Sequence, residues 1–308
     1  TEVGDDPFGY IIENRVIRDG LSQLGGQLRN LTIIAPASVE TVERHADGAD
    51  IMLEDGRVLQ TSLVVGADGR NSPLRKSAGI GAREFRYDQT AIVCTVSHER
   101  AHAGVAVELF LPSGPFAMLP MTGQRTNIVW TERAGLAPAF LDLDDAGFLG
   151  EVQRRFGDWL GDLNLVGPRF AYPLGLMHAD RYTERRLALI SEAAHAIHPI
   201  AGQGLNLGIR DVAALAEAVV DAVRLGLEPA DATVLDRYEA SRRVDNTTLV
   251  AVTDVLNRLF SNDVAPIRAA RDLGLAGVDA IPPLKRLFMR HAMGVVGDLP
   301  RLVRGETL

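Results

Sequence analysis

The sequence predicts a mixed α/β fold (α+β in its segregation) with an inserted antiparallel sheet and a helical C-terminus. Three observations predict it. Two short apolar runs, Leu63–Gly66 and Leu187–Ile190, each lead into a loop bearing a carboxylate and glycine, and each loop opens into a helix. Apolar runs of that length are typical strands of a buried parallel sheet. Between them, from about Thr90 to Thr131, the texture changes to β-rich runs separated by turn residues, and beyond residue 206 helical patterns dominate.

Taken in order, Ile11 to Leu28 reads as a helix with an apolar stripe of Ile12, Val16, Leu21, Leu24 and Leu28. Strand-like runs follow at Thr32–Glu40 and Ile51–Leu53. Glu54, Asp55, Gly56 and Arg57 form a turn before Val58 and Leu59, which predicts a hairpin. Leu63–Gly66 leads into the loop Ala67–Pro73, whose Ser72-Pro73 pair is an N-cap and first helical position. The β-rich runs are Ala91–Val96, Val105–Leu111, Phe116–Leu119 and Asn127–Thr131, with turns at Pro112–Pro115 and Thr122–Gln124. A helix over Asp144–Phe156 and a strand over Arg169–Leu174 follow. Asn206 to Leu225 is a long helix, with Val212, Leu215, Ala216, Val219 and Val223 expected on its apolar side. Pro266 and Pro282-Pro283 interrupt the helices after it. The organisation expected is a discontinuous α/β domain (1–88 and 175–255), an inserted antiparallel-sheet domain (89–174) and a helical region (256–308).

Bulk properties narrow the class. The formal charge of -8 over 308 residues lacks the basic balance of a nucleic-acid binder. Cys94 is the single cysteine, which removes a disulfide framework and a thiolate metal site and fits a reducing, cytoplasmic compartment. No apolar run approaches the ~20 residues that cross a bilayer.

Two motifs carry chemistry. At Asp68-Gly69 a carboxylate stands at the carboxyl end of a strand, where open α/β sheets bind ligands. Gly69 permits positive φ or close backbone approach. The same residues also fit a plain strand-to-helix turn in which Asp68 caps backbone N–H groups. The second motif runs from Glu192 to Asp211. Glu192 can accept hydrogen bonds from the hydroxyls of a polyol or ribose. Pro199 sets a rigid bend, and Gly202, Gln203 and Gly204 let backbone approach a flat ligand. A helix starting at Leu205 or Asn206 then points its N-terminal N–H groups at that ligand, favouring negative charge there. His195 and His198 lack a third ligand and read as packing or hydrogen-bonding histidines. No acid–base residue and no metal ligand is assigned.

These motifs resemble those of the class A FAD-dependent aromatic monooxygenases of the para-hydroxybenzoate hydroxylase-like fold, within them the ubiquinone-biosynthesis hydroxylases. Gly66–Arg75 is similar to their Asp-Gly motif, and His198–Asp211 to their isoalloxazine loop. Phe110–Pro120 resembles their substrate sheet, and Ile281–Gly294 their C-terminal segment. The resemblance implies FAD held through Arg15, Asp68, Gly69, Glu192, Pro199, Gly202, Gln203, Gly204, Leu205 and Asn206, with NAD(P)H as co-substrate. It implies O2-dependent hydroxylation of a polyprenylated phenol lying against the Phe110–Pro120 sheet.

It further implies peripheral contact with the inner face of a membrane through the Lys285, Arg286 and Arg290 helix, over Leu284–Val296, or contact with a biosynthetic complex. A homo-oligomer and no nucleic acid complete the expected partners. Two departures accompany it. Ser191-Glu192 stands where the family carries Gly-Asp, and the family's N-terminal Gly-x-Gly-x-x-Gly unit lies outside these residues, so an N-terminally incomplete fold is expected. The alternatives kept open are another FAD-dependent oxidoreductase of the fold, such as a reductase, and a scaffold protein that binds no FAD.

Overall fold

The computed structural model describes residues 7–261, 277–293 and 297–308. The chain divides into two compact units. The first comprises Thr1–Leu21, Arg86–Leu174 and Val255–Met293; the second comprises Ser22–Phe85, Gly175–Asp254 and Gly294–Leu308.

The first unit is built on an antiparallel sheet. Strands β5 (Ala82–His98), β8 (Arg125–Arg133), β7 (Gly114–Met121) and β6 (Val107–Leu111) lie in that order, and β9 (Leu163–Leu165) pairs with β5. Alternation along each strand sends one set of side chains to the core. Ile92, Cys94, Val96, Phe116, Met118, Ile128 and Trp130 pack with Phe148 and Val152 of helix α4 (Asp145–Phe156) and with Ala137 of α3 (Ala137–Leu141). Helix α4 starts where Asp144 accepts the Gly147 N–H at 2.8 Å and stops at Gly157, whose φ of 84° ends the helical path. Burial pushes the Cys94 thiol up to about 12, so it stays protonated and inert.

The second unit places a hairpin sheet of β1 (Val39–Arg44), β2 (Ala49–Leu53) and β3 (Val58–Thr61) beside a smaller sheet. In the smaller sheet, β4 (Val64–Gly66) runs parallel to β12 (Leu187–Leu189), with β11 (Thr183–Glu184) antiparallel on β12. The hairpin turns at Gly56, φ 85°. Helix α2 (Pro73–Ser77) follows β4, with Ser72 Oγ accepting the Arg75 N–H at 2.9 Å. Helix α5 (Gly204–Arg224) packs on Leu187, Leu189, Ala193 and Ala194 in one core with Val234, Leu235 and Tyr238 of α6 (Ala232–Phe260).

Several expectations are corrected. The first helix, α1, covers only Asn14–Gly25. Thr32–Glu40 is not a strand until Val39; Pro36 has no N–H to give a ladder, and the residues before it are largely exposed. The strand expected at Arg169–Leu174 is the start of a longer one, β10 (Phe170–Ala179). The buried side of α5 is Leu207, Ala214, Leu215, Ala218 and Ala222, while Val212 and Val223 are exposed. Small alanines let the helix approach the sheet closely, so the bulkier valines turn outward. Pro266, Val295 and Val296 lie outside the described residues, whereas Pro282 opens helix α7 (Pro282–Met293).

Candidate functional site

The site grows from the parallel pair in the second unit. Val64, Val65 and Gly66 lie opposite Leu187, Ala188 and Leu189, and Ile190 donates its N–H to the Gly66 carbonyl at 3.0 Å. Both strands therefore end together, and both loops leave from the same carboxyl end of the pair. That is where open α/β sheets place ligands.

Asp68 follows β4. Its Oδ2 accepts the Leu74 N–H at 3.0 Å, so the residue caps α2 together with Ser72. Asp68 is nevertheless exposed, and Gly69 beside it takes φ 83°. From α2 the Arg75 guanidinium, 2% exposed, donates to the Ala193 carbonyl at 2.9 Å and to the Arg70 carbonyl at 2.9 Å. One buried cation thus joins the Asp68 loop to the Glu192 loop.

Glu192 sits on a 3-10 turn over Ser191–Ala193. It is exposed and makes no hydrogen bond or ion pair among the described residues. Its orientation comes from beneath. Ser191 adopts φ 55°, a left-handed conformation uncommon outside glycine. Its N–H donates to Asp211 Oδ2 at 2.9 Å. Asp211, fully buried on α5, also accepts from His195 Nε2 at 2.6 Å, Arg242 Nε at 2.9 Å and Asn246 Nδ2 at 3.2 Å. Burial pushes the Asp211 carboxyl up, but the hydrogen bonds and charges of His195 and Arg242 outweigh it and hold its pKa below the ordinary value. Gly208 completes the support: a Cβ there would lie 2.5 Å from Ser191 Oγ, so α5 can seat against this turn only with glycine.

The second arm is the segment from His198 to Asn206. His198 is fully buried, and its Nδ1 accepts the Ile200 N–H at 3.2 Å. Burial pushes its pKa down to about 4, so the ring is neutral at physiological pH. Pro199 starts a 3-10 turn, and Gly202, at φ 61°, ends it. Gln203 precedes α5 but gives its first-turn N–H groups no side-chain cap, and that turn contains no acidic residue. Its amide instead accepts from Asn206 Nδ2 at 3.1 Å. Pro199, Gly202, Gly204, Leu205 and Asn206 are exposed, whereas Leu207 and Gly208 are buried.

These residues fit a flavin. A Cβ added to Gly69, Gly202 or Gly204 would meet nothing within 4 Å, which leaves open space against the backbone. The first turn of α5 presents N–H groups without a side-chain cap, a place where negative charge is favoured by about 0.3–2 kcal/mol, and Glu192 offers an acceptor without an internal partner among the described residues.

Among the sequence candidates, Asp68, Gly69, Glu192, Pro199, Gly202, Gln203, Gly204, Leu205 and Asn206 belong to this one unit. Arg15 belongs to the other. There its Nε donates to Glu13 at 2.7 Å, and Glu13 also accepts from Arg125 at 3.1 Å. His195 and His198 are hydrogen-bonding histidines, and no metal-binding cluster occurs among the described residues. Sequence reasoning missed Arg75, Asp211, Arg242 and Asn246. For Asp211 a signal existed: it is four residues from both Leu207 and Leu215, a helical spacing that puts it on their buried face.

A family model described as "FAD binding domain" matches residues 14–253. The chain is 54% identical over 305 residues to the ubiquinone hydroxylase UbiL of Rhodospirillum rubrum, covering 98% of this chain and 71% of that protein. It is 35% identical over 288 residues to the 3-demethoxyubiquinol 3-hydroxylase of Escherichia coli, covering 94% and 73%. Among solved structures, pqsL of Pseudomonas aeruginosa, a probable FAD-dependent monooxygenase, superposes with a TM-score of 0.69 at 25% identity, covering 80% of this chain and 70% of that one.

Proposed function

Because the chain belongs to the FAD-dependent hydroxylases of ubiquinone biosynthesis, we propose that it hydroxylates the ring of a polyprenylated phenol, using NAD(P)H and O2. When bound, FAD supplies the redox chemistry, taking electrons from the pyridine nucleotide and activating O2. The protein's residues bind, orient and exclude water. Glu192 accepts hydrogen bonds from the ribityl hydroxyls of FAD. The Pro199–Gln203 turn would hold the isoalloxazine, and the N–H groups of Gly204, Leu205 and Asn206 would favour the negative charge of the reduced cofactor. The Asp68-Gly69 loop gives a further cofactor contact, as does Arg15. The sheet of the first unit, including Phe110–Pro120, forms the substrate surface.

The observation that carries this reading is the exposed, unpartnered Glu192 beside an uncapped start of α5, in a chain of this family. The test uses the full-length protein. It is expected to purify yellow or to take up added FAD, and to consume O2 and NAD(P)H when given a prenylated phenol, with a product heavier by one oxygen. Colourless protein that ignores added FAD overturns the reading, as does phenol-independent NAD(P)H oxidation with no hydroxylated product.

An apolar substrate favours a membrane-side location, and we infer peripheral contact through α7. No helix among the described residues is long and apolar enough to cross a membrane. Leu287 on α7 is 49% exposed beside exposed Arg286 and Arg290, a pairing suited to an anionic lipid surface. Co-sedimentation with anionic vesicles, weakened by Leu287→Asp, is expected; no sedimentation of the wild type refutes the contact.

A further inference from the structure

Ser191 lies in the turn between β12 and β13 (His195–Ala196). Its φ of 55° falls in the left-handed region, where a side chain is strained and glycine is not. Such strain persists only where the surroundings fix the backbone. Here they do. The Ser191 N–H donates to Asp211 Oδ2 at 2.9 Å, and the Ser191 carbonyl accepts the Ala194 N–H at 2.9 Å. On the side-chain side stands α5: a Cβ on Gly208 would lie 2.5 Å from Ser191 Oγ and 2.8 Å from Ser191 Cβ. The serine therefore rests directly on the helix backbone.

Among the described residues, nothing uses the hydroxyl. Ser191 Oγ makes no hydrogen bond there, although the backbone N–H of the same residue does. The residue is half-buried, and its oxygen is not among the enclosed atoms that lack a partner. A glycine would hold the same backbone without strain, so packing alone gives no reason for a hydroxyl. Gly204 and Gly208 are four residues apart and share one face of α5. A Cβ on Gly204 would meet nothing within 4 Å, whereas one on Gly208 would meet Ser191. Space that is open at Gly204 is thus closed by Ser191, about 6 Å along the helix. The next residue is Glu192, exposed and without a partner among the described residues. A free hydroxyl and a free carboxylate stand side by side, and all of these residues belong to the second unit.

A polyol calls for both groups. Each of its hydroxyls donates one hydrogen bond and can accept others, whereas a carboxylate only accepts. Glu192 alone leaves the polyol oxygens without a donor, and a serine hydroxyl supplies one. Resting on the FAD binding proposed above, we propose that Ser191 is a further cofactor-binding residue. Its Oγ–H donates to an oxygen of the ribityl chain while Glu192 accepts from a ribityl hydroxyl. The left-handed turn presents the two consecutive side chains together. Asp211 and Gly208 hold that turn in place before the ligand arrives, so little ordering is lost on binding.

The test titrates the full-length apoprotein with FAD and follows flavin fluorescence, without turnover. Ser191→Ala keeps the Cβ that rests on Gly208 and removes only the hydroxyl. It is expected to raise the Kd for FAD about 3- to 10-fold, the ordinary scale of one neutral hydrogen bond, with the Tm of the apoprotein unchanged. Ser191→Gly suits the left-handed backbone and is expected to weaken FAD binding as well, without lowering Tm. FAD analogues that each lack a different ribityl hydroxyl locate the contact. For one of them the wild type and Ser191→Ala should bind equally, because the partner of the serine is already gone.

An unchanged Kd in Ser191→Ala overturns the assignment and leaves FAD binding through Glu192 standing. A lower apoprotein Tm in that variant also overturns it, because the hydroxyl then serves the fold. So does an equal loss with FAD and with every analogue, which puts the contact away from the ribityl chain. A wild type that binds no FAD instead defeats the cofactor reading itself, and the role of Ser191 with it.

Discussion

Asp68 and Glu192 leave the carboxyl ends of two adjacent parallel strands, yet the fold uses them differently. Asp68 turns one oxygen into the fold, where it holds the Leu74 N–H and begins α2. Glu192 has no internal partner among the described residues and is held outward by backbone alone. The support beneath them differs as well. The Asp68 loop rests on a helix cap and one guanidinium, Arg75. The Glu192 loop rests on a buried carboxylate, Asp211, with hydrogen bonds from backbone, histidine, arginine and asparagine. A carboxylate that caps a helix contributes to stability by itself. One that faces a ligand contributes little, so its position must be set by other groups, and here those groups are buried charges.

This contrast can be broken at its strongest point first. Arg242→Ala removes a guanidinium from the fully buried Asp211, and loss of one partner of such a pair costs about 3–5 kcal/mol. Denaturant unfolding should show that loss together with weaker FAD retention; an unchanged midpoint would mean that the network does not hold the loop.

The next effect concerns pH. The folded-state pKa of His198 lies at about 4, below the ordinary 6.5, so its neutral form is favoured by folding. Stability is complete above 6.5 and declines as pH falls towards 4. The total is about 3 kcal/mol, the free-energy equivalent of that displacement. Chemical unfolding between pH 7.5 and 4 should show the decline, and His198→Gln should flatten it. A similar slope in the variant would assign the decline to other groups.

The smallest effects separate the two carboxylates. Asp68→Ala should cost about 1 kcal/mol of stability through the lost cap and also loosen FAD. Glu192→Ala should weaken FAD binding about tenfold, equal to about 1.4 kcal/mol, while leaving the unfolding midpoint in place. Paired FAD titrations and melts decide this, and the contrast fails if Glu192→Ala destabilises the protein as much as Asp68→Ala.

The sheet strands after residue 90 were legible because apolar residues alternate between turn signals. Alternation needs only local sequence, as in Phe116, Met118, Ile128 and Trp130. The Glu192 loop was legible because proline and glycine restrict backbone wherever they occur. On α5 Leu215 and Val219 meet the core as expected, but Val212 and Val223 do not, because valine outranks alanine in hydrophobicity whereas close approach to the sheet selects for small volume.

By itself, then, the sequence determined the strand–loop–helix order, the glycine-bearing turns, the likeness to FAD-dependent hydroxylases and the residue types available to a flavin. Each depends on backbone preference or short-range spacing. Only the tertiary structure decided which carboxylate faces inward and which arginines are buried. Asp211 and Arg242 are separated by 31 residues, and Arg75 and Ala193 by 118. Whether a charge is buried depends on what packs over it, and residues distant in the chain supply that covering.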